Sequence, residues 1–160
     1  MLTRVQVDRE LDRIRRIYFE RGDLRGTLIR YRTVLIDCQT QGAEEDAFAI
    51  CCRDIADILY ALDRKEEAFR MYDRALGYNV LDKNVRAQTL MNKGISLIQE
   101  GKQNDAEPFL KEACEISTPP FQQTAVKNYQ LLLKALSENN QIEVYFETQR
   151  QRSERNKLFI

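Results

Sequence analysis

The chain has 160 residues, of which 43% are hydrophobic, so it is long enough to bury one substantial core and gives no reason to expect a second domain. Its 25 Lys and Arg residues balance its 25 Asp and Glu residues, and this neutrality does not favour a nucleic acid or a membrane surface as the partner. No apolar run approaches the ~20 residues that span a bilayer, and the first residues lack a signal-peptide pattern, so we expect a cytoplasmic protein.

A helix–turn–helix pattern recurs four times along the chain, with apolar residues at helical spacing. Aligned on the turn, the copies start 41, 38 and 38 residues apart, at Tyr18, Leu59, Leu97 and Ala135. The predicted turns lie at Gly22 with Asp23, at Asp63, at Gly101 and at Asn139 with Asn140. A near-fixed period of this length is typical of a stacked helical repeat. We therefore predict one all-α domain over residues 1–160, with antiparallel helix pairs at 8–41, 49–82, 87–120 and 125–156.

Catalytic and metal-binding signals are weak. The chain has no histidine, and its four cysteines do not follow a zinc-binding spacing, so we expect no metal, no cofactor and no enzyme activity. A structural role is the leading interpretation for Cys38, Cys51, Cys52 and Cys114, and the alternative is a redox role for the adjacent Cys51 and Cys52. Acidic residues such as Glu45 and Asp46 are expected to offset the amide dipoles at helix starts. Pro108 is expected within about the first turn of its helix.

The middle hairpins resemble tetratricopeptide repeats. Residues 87–120 show the spacing of that family with Leu90, Gly94, Leu97, Ala106, Leu110 and Ala113. Residues 49–82 show it with Ile55, Ala56, Leu59, Ala68, Tyr72 and Ala75. The resemblance implies a right-handed superhelix of about four antiparallel helix pairs, in which Ala68 and Ala106 let the second helix approach the first closely. Because the family's basic repeat is shorter than the spacing here, extra residues in CQTQGAEED and NVLDKN should lengthen the helices.

The resemblance also implies a binding surface, since in this family the first helix of each pair lines a concave groove. Transfer residue by residue nominates Arg9, Arg13, Arg16, Arg53, Asp57, Tyr60, Gln88, Asn92, Tyr129 and Gln130. Arginine and tyrosine suit this role because a guanidinium forks onto carboxylates and a phenol gives rigid contact area. The expected function is a non-enzymatic adaptor that binds an extended or helical segment of a partner protein.

Other interpretations of these residues stay open. Any single nominated residue could belong to a solvated helix face that has no ligand. The chain could also be a structural or self-associating subunit, for example a homodimer, because its tail QRQRSERNKLFI ends in three apolar residues that either cap the last repeat or dock on a neighbour. Nucleic-acid binding would depend on the nine arginines among residues 1–32, which exceed the five acidic residues there.

Overall fold

The computed structural model describes residues 1–138, and this part of the chain is all helical. Its seven α-helices are α1 Arg4–Ile17, α2 Leu24–Gln41, α3 Glu45–Ala61, α4 Lys65–Leu76, α5 Lys83–Gln99, α6 Gln103–Ile116 and α7 Phe121–Glu138. The predicted all-α class is confirmed. The pairs α1–α2, α3–α4 and α5–α6 fall where the first three hairpins are predicted, but each begins four residues earlier than predicted. Helix α7 starts the fourth, whose turn at Asn139 and Asn140 and whose second helix lie outside the described residues.

The three predicted turns that fall within the described residues are confirmed. Gly22, Asp63 and Gly101 each have a positive φ, of 78°, 62° and 76° respectively. Glycine adopts this left-handed conformation without steric cost, and aspartate tolerates it better than most other residues do. Each helix pair therefore reverses direction at the position that the sequence marks.

The helices begin at side chains that satisfy their first amides. Thr3 and Gln6 form a reciprocal capping box at α1, and Asp23 accepts a 2.8 Å hydrogen bond from the amide of Gly26 at α2. Asp46 has a further role that the sequence analysis missed. Its buried carboxylate accepts hydrogen bonds from the amides of Leu81 (2.7 Å) and Asp82 (3.1 Å) and so holds the loop between α4 and α5 against α3.

The structure tests two further expectations, on the extra segments between helices and on the position of Pro108. The segment CQTQGAEED does extend helices, because α2 continues to Gln41 and α3 begins at Glu45. The expectation for NVLDKN is wrong in the main, since α4 ends at Leu76 and only the last two residues of this segment belong to α5. The placement of Pro108 in the first turn is wrong, since it is the sixth residue of α6. Its ring nitrogen cannot donate to the carbonyl of Asn104, but Asn104 is exposed and water can hydrate that oxygen, so the helix tolerates the proline.

The first helices of successive pairs pack on one another, α1 on α3, α3 on α5 and α5 on α7, while each second helix packs beside its own first helix and the next one. At the crossing of α5 and α6, Gly94 faces Leu110 and Ala106, which are both buried. Small residues at this crossing let the two backbones approach, as the spacing predicts. The first helices therefore form one layer that crosses all the described pairs.

Candidate functional site

Three nominated arginines lie together on α1. Arg9, Arg13 and Arg16 are exposed and share one face of the helix, because they are separated by four and three residues. Arg13 pairs with Glu10 at 2.7 Å and Arg16 with Asp12 at 2.9 Å. Such exposed pairs one turn apart contribute little to stability, and they leave the guanidinium groups accessible to a ligand.

Five nominated residues meet at the contact between α3 and α5, where they form a set of hydrogen bonds that we call the α3–α5 ladder. Arg53 Nη1 donates to Gln88 Oε1 at 2.9 Å, and Asn92 Nδ2 donates to Asp57 Oδ2 at 3.1 Å. The Tyr60 hydroxyl donates to Glu100 Oε1 at 2.6 Å. The fold thus joins side chains that are 35 to 40 residues apart in the chain.

The ladder is partly buried and its charges are compensated. The side chain of Arg53 is only 11% exposed and forms a 2.8 Å ion pair with Asp54. Burial disfavours the charged guanidinium, but the neighbouring carboxylates of Asp54 and Asp57 outweigh this cost and raise the pKa of Arg53. Removing one partner from such a pair leaves a buried charge uncompensated, which is strongly destabilising. Arg53 therefore has a structural role in addition to any role in binding.

Three residues of the ladder were not nominated from the sequence. Tyr72 reaches across from α4 and donates its hydroxyl hydrogen bond to Asp57. Glu100 also accepts from Lys65 at 2.9 Å, and Asp54 neutralises Arg53. The sequence marks Tyr72 only as one of the residues with the repeat spacing, and periodicity alone does not show that its hydroxyl bonds a carboxylate.

The last two nominated residues lie on α7. Tyr129 is half-buried and packs against the core formed by α5, α6 and α7, whereas Gln130 is exposed. The ten nominated residues therefore form three groups on successive first helices. These are the arginines of α1, the ladder of α3 and α5, and the pair on α7.

The cysteines belong to the interior and not to a reactive site. Cys38, Cys51 and Cys52 are fully buried, and Cys114 is half-buried. Burial raises the pKa of Cys51, and it raises that of Cys52 to about 11. Because the thiolate is the reactive form of cysteine, this environment favours the structural interpretation over the redox alternative.

Two other kinds of site are absent from residues 1–138. No cluster of three or more Cys, Asp and Glu side chains there is arranged to hold a metal ion. None of the described helices is both long and apolar enough to cross a membrane.

No protein-family model matches the chain, and no curated protein sequence is significantly similar to it. The resemblance to tetratricopeptide repeats accordingly depends on the spacing of the chain's own residues.

Proposed function

We propose that the protein is a non-enzymatic interaction module of the tetratricopeptide type, with its helix pairs stacked in a right-handed superhelix. Its ligand is an extended or helical segment of a partner protein, held on the face that the first helices form. This face consists of the α1 arginines, the α3–α5 ladder and the residues Tyr129 and Gln130 of α7.

One observation carries the proposal. The first helices pack directly on one another, so side chains from separate hairpins form one continuous surface, as the contacts of Arg53 with Gln88 and of Asn92 with Asp57 illustrate. Stacked helical repeats bind other chains through extended surfaces of this kind. A continuous surface that crosses several pairs is long enough to follow a peptide segment, which a single hairpin is not.

The three groups on this face have different parts in the proposal. The ladder residues already bond one another, so they set the spacing of α3 and α5 and offer a ligand only their remaining exposed edges. The α1 arginines are exposed, and the ion pairs of Arg13 and Arg16 are with residues of the same helix. We therefore assign the charged recognition of a ligand to Arg9, Arg13 and Arg16, which would fork onto carboxylates or backbone carbonyls.

The test is affinity capture from the native cell lysate with quantitative mass spectrometry. The variant combines Arg9→Glu, Arg13→Glu and Arg16→Glu, which changes the exposed face of α1 without touching the buried pairs of the ladder. The matched control combines Arg21→Glu, Lys83→Glu and Lys111→Glu, three exposed residues on other elements that give the same change in net charge. Circular dichroism and urea unfolding establish that both variants are folded.

We expect a protein that wild type and the control capture equally and that the α1 variant loses. Capture of the same proteins by all three baits would show that the first-helix face does not recognise them. Capture of copies of this chain alone would instead favour the structural or self-associating subunit. Light scattering on the purified protein checks that outcome, because it reports a dimer directly.

A further inference from the structure

A second surface lies on the opposite side of the first two helix pairs, between α2 and α4. Both helices pack on α3 and leave between them an open cleft of about 250 Å³. Its floor is apolar: Met71 is half-buried there, and Leu35, Ile55 and Leu59 lie beneath it as buried residues. Small-molecule sites usually enclose ~300–1,000 Å³, so this cleft is better suited to a few anchoring side chains of a protein segment.

The rim of the cleft is positively charged. Arg32, Arg70 and Arg74 line it, and all three are exposed. The only carboxylate in the lining is Glu67, and its charge is already paired, because Arg64 forms two hydrogen bonds with it and thereby lowers its pKa. Glu67 also interacts with the charges of Arg32 and Arg70, so its single negative charge offsets only part of the positive charge of the rim. An apolar floor and a rim with excess positive charge together favour a ligand that combines apolar and acidic side chains.

The apolar character of the cleft continues onto the outer face of α2. Ile29 and Ile36 are 65% and 54% exposed, and they flank Arg32 at spacings of three and four residues, so the three side chains share one face. Large exposed apolar side chains beside an apolar cleft indicate a surface for another chain. An amphipathic helix presents anchors at the same spacing of three and four residues.

We propose that this α2–α4 cleft docks an acidic amphipathic helix of a partner protein. Apolar side chains of that helix would cover Leu35 and Met71, while its carboxylates pair with Arg32 and Arg70. The chain's own residues 139–160 contain four basic and three acidic residues, so the net charge of this segment as a whole does not complement the arginine rim. The proposal concerns the second helices and is independent of ligand binding on the first-helix face.

The test uses the full-length protein with ¹³C-labelled methionine methyl groups and two synthetic helical peptides. The peptides have the same leucine face, and they differ only in having glutamates or lysines on the flanks. Met71 lines the cleft and reports on its occupancy, whereas Met91 is buried in the core of α5, α6 and α7 and serves as an internal control. Fluorescence anisotropy gives the affinity of each peptide.

We expect the acidic peptide to shift the Met71 methyl resonance but not that of Met91, and to bind about tenfold more tightly than the basic peptide. Raising the salt concentration to about 0.3 M should reduce this difference, because the rim charges are exposed. The double variant Arg32→Glu with Arg70→Glu should lose or reverse the preference. Arg21→Glu with Lys111→Glu, an equal charge change elsewhere on the surface, should keep it.

A second variant guards against a change in folding. Glu67 lies close enough to Arg32 and Arg70 to interact with their charges, so two new glutamates would repel it. Arg32→Gln with Arg70→Gln avoids that repulsion and should abolish the preference for acid without reversing it. The proposal would be overturned by equal affinities for the two peptides or by an acidic peptide that does not bind. It would also be overturned by a Met71 resonance that shifts only when the protein itself is concentrated, because that result identifies a second copy as the occupant.

Discussion

The substitution Gly94→Ala tests how closely α5 and α6 approach each other at their crossing. A Cβ atom on Gly94 would lie 2.9 Å from both Cγ and Cδ2 of Leu110 and 3.5 Å from the carbonyl oxygen of Ala106. Unbonded carbon atoms pack best at about 3.5–4.0 Å, so Leu110 would have to move. Leu110 is completely buried, which leaves it little room to do so.

Two opposing effects decide the sign of the change in stability. Replacing a glycine inside a helix by alanine stabilises the helix by about 1 kcal/mol, because the unfolded chain loses less freedom on folding. Overpacking a buried contact costs about 1–3 kcal/mol. We expect the clash to outweigh the helix propensity, so that Gly94→Ala lowers the free energy of unfolding by about 1 kcal/mol.

Urea unfolding followed by circular dichroism measures this free energy, with an unchanged slope as the condition for comparing variants. The matched control repeats the substitution in a Leu110→Ala background, where the space beside Gly94 is empty and the same methyl group should stabilise the protein. The two substitutions should therefore couple by more than about 1 kcal/mol. A Gly94→Ala variant that is more stable than wild type would show that α5 and α6 are farther apart than described.

The remaining predictions concern the ladder and the cysteines. Tyr72→Phe removes a hydroxyl that donates to the carboxylate of Asp57, so urea unfolding should show a loss of about 1–3 kcal/mol, and an unchanged midpoint would contradict the hydrogen bond. The hydrogen bond from Tyr60 is the largest of the interactions that lower the pKa of Glu100 below its usual 4.5. The stability that this carboxylate provides is therefore complete above pH 4.5 and is lost as the pH falls through the lowered pKa. The stability difference between wild type and Glu100→Gln should accordingly shrink below pH 4.5, and a constant difference would argue against the pairing. In native protein treated with iodoacetamide at about pH 8, Cys114 should react first, because the other three cysteines are fully buried, and mass spectrometry of the peptides would reveal any other order.

The turns inside the first three helix pairs could be predicted from local residues, whereas the first helix of each pair begins four residues before the predicted start. Gly22, Asp63 and Gly101 adopt the left-handed conformation expected at helix ends, and the preference for it is a property of the residue itself. Pro108 was misplaced because the start of α6 is not marked by a side-chain cap, and its N-cap position is occupied by Lys102. Local chemistry therefore predicts a boundary only where a residue with a strong conformational preference lies there.

The candidate sites were less accessible to sequence reasoning. Repeat spacing placed Arg53 and Gln88 on successive first helices, but it did not show that they bond each other at 2.9 Å. Their exposure depends on the distance between α3 and α5, which the packing of the whole first-helix layer sets. The α2–α4 cleft left no signal in the sequence, because Leu35 and Met71 look like ordinary core positions of their helices.

The sequence by itself determined that this chain forms helix pairs with turns at defined residues, since helical periodicity and backbone preference are local properties. Only the tertiary structure decided which polar side chains face solvent and which bond one another, because that depends on how close α3 and α5 bring residues that are 35 to 40 positions apart in the chain. It also decided that α2 and α4 stand apart over an apolar floor, a gap that arises from how three helices pack together and not from the residues of any one of them.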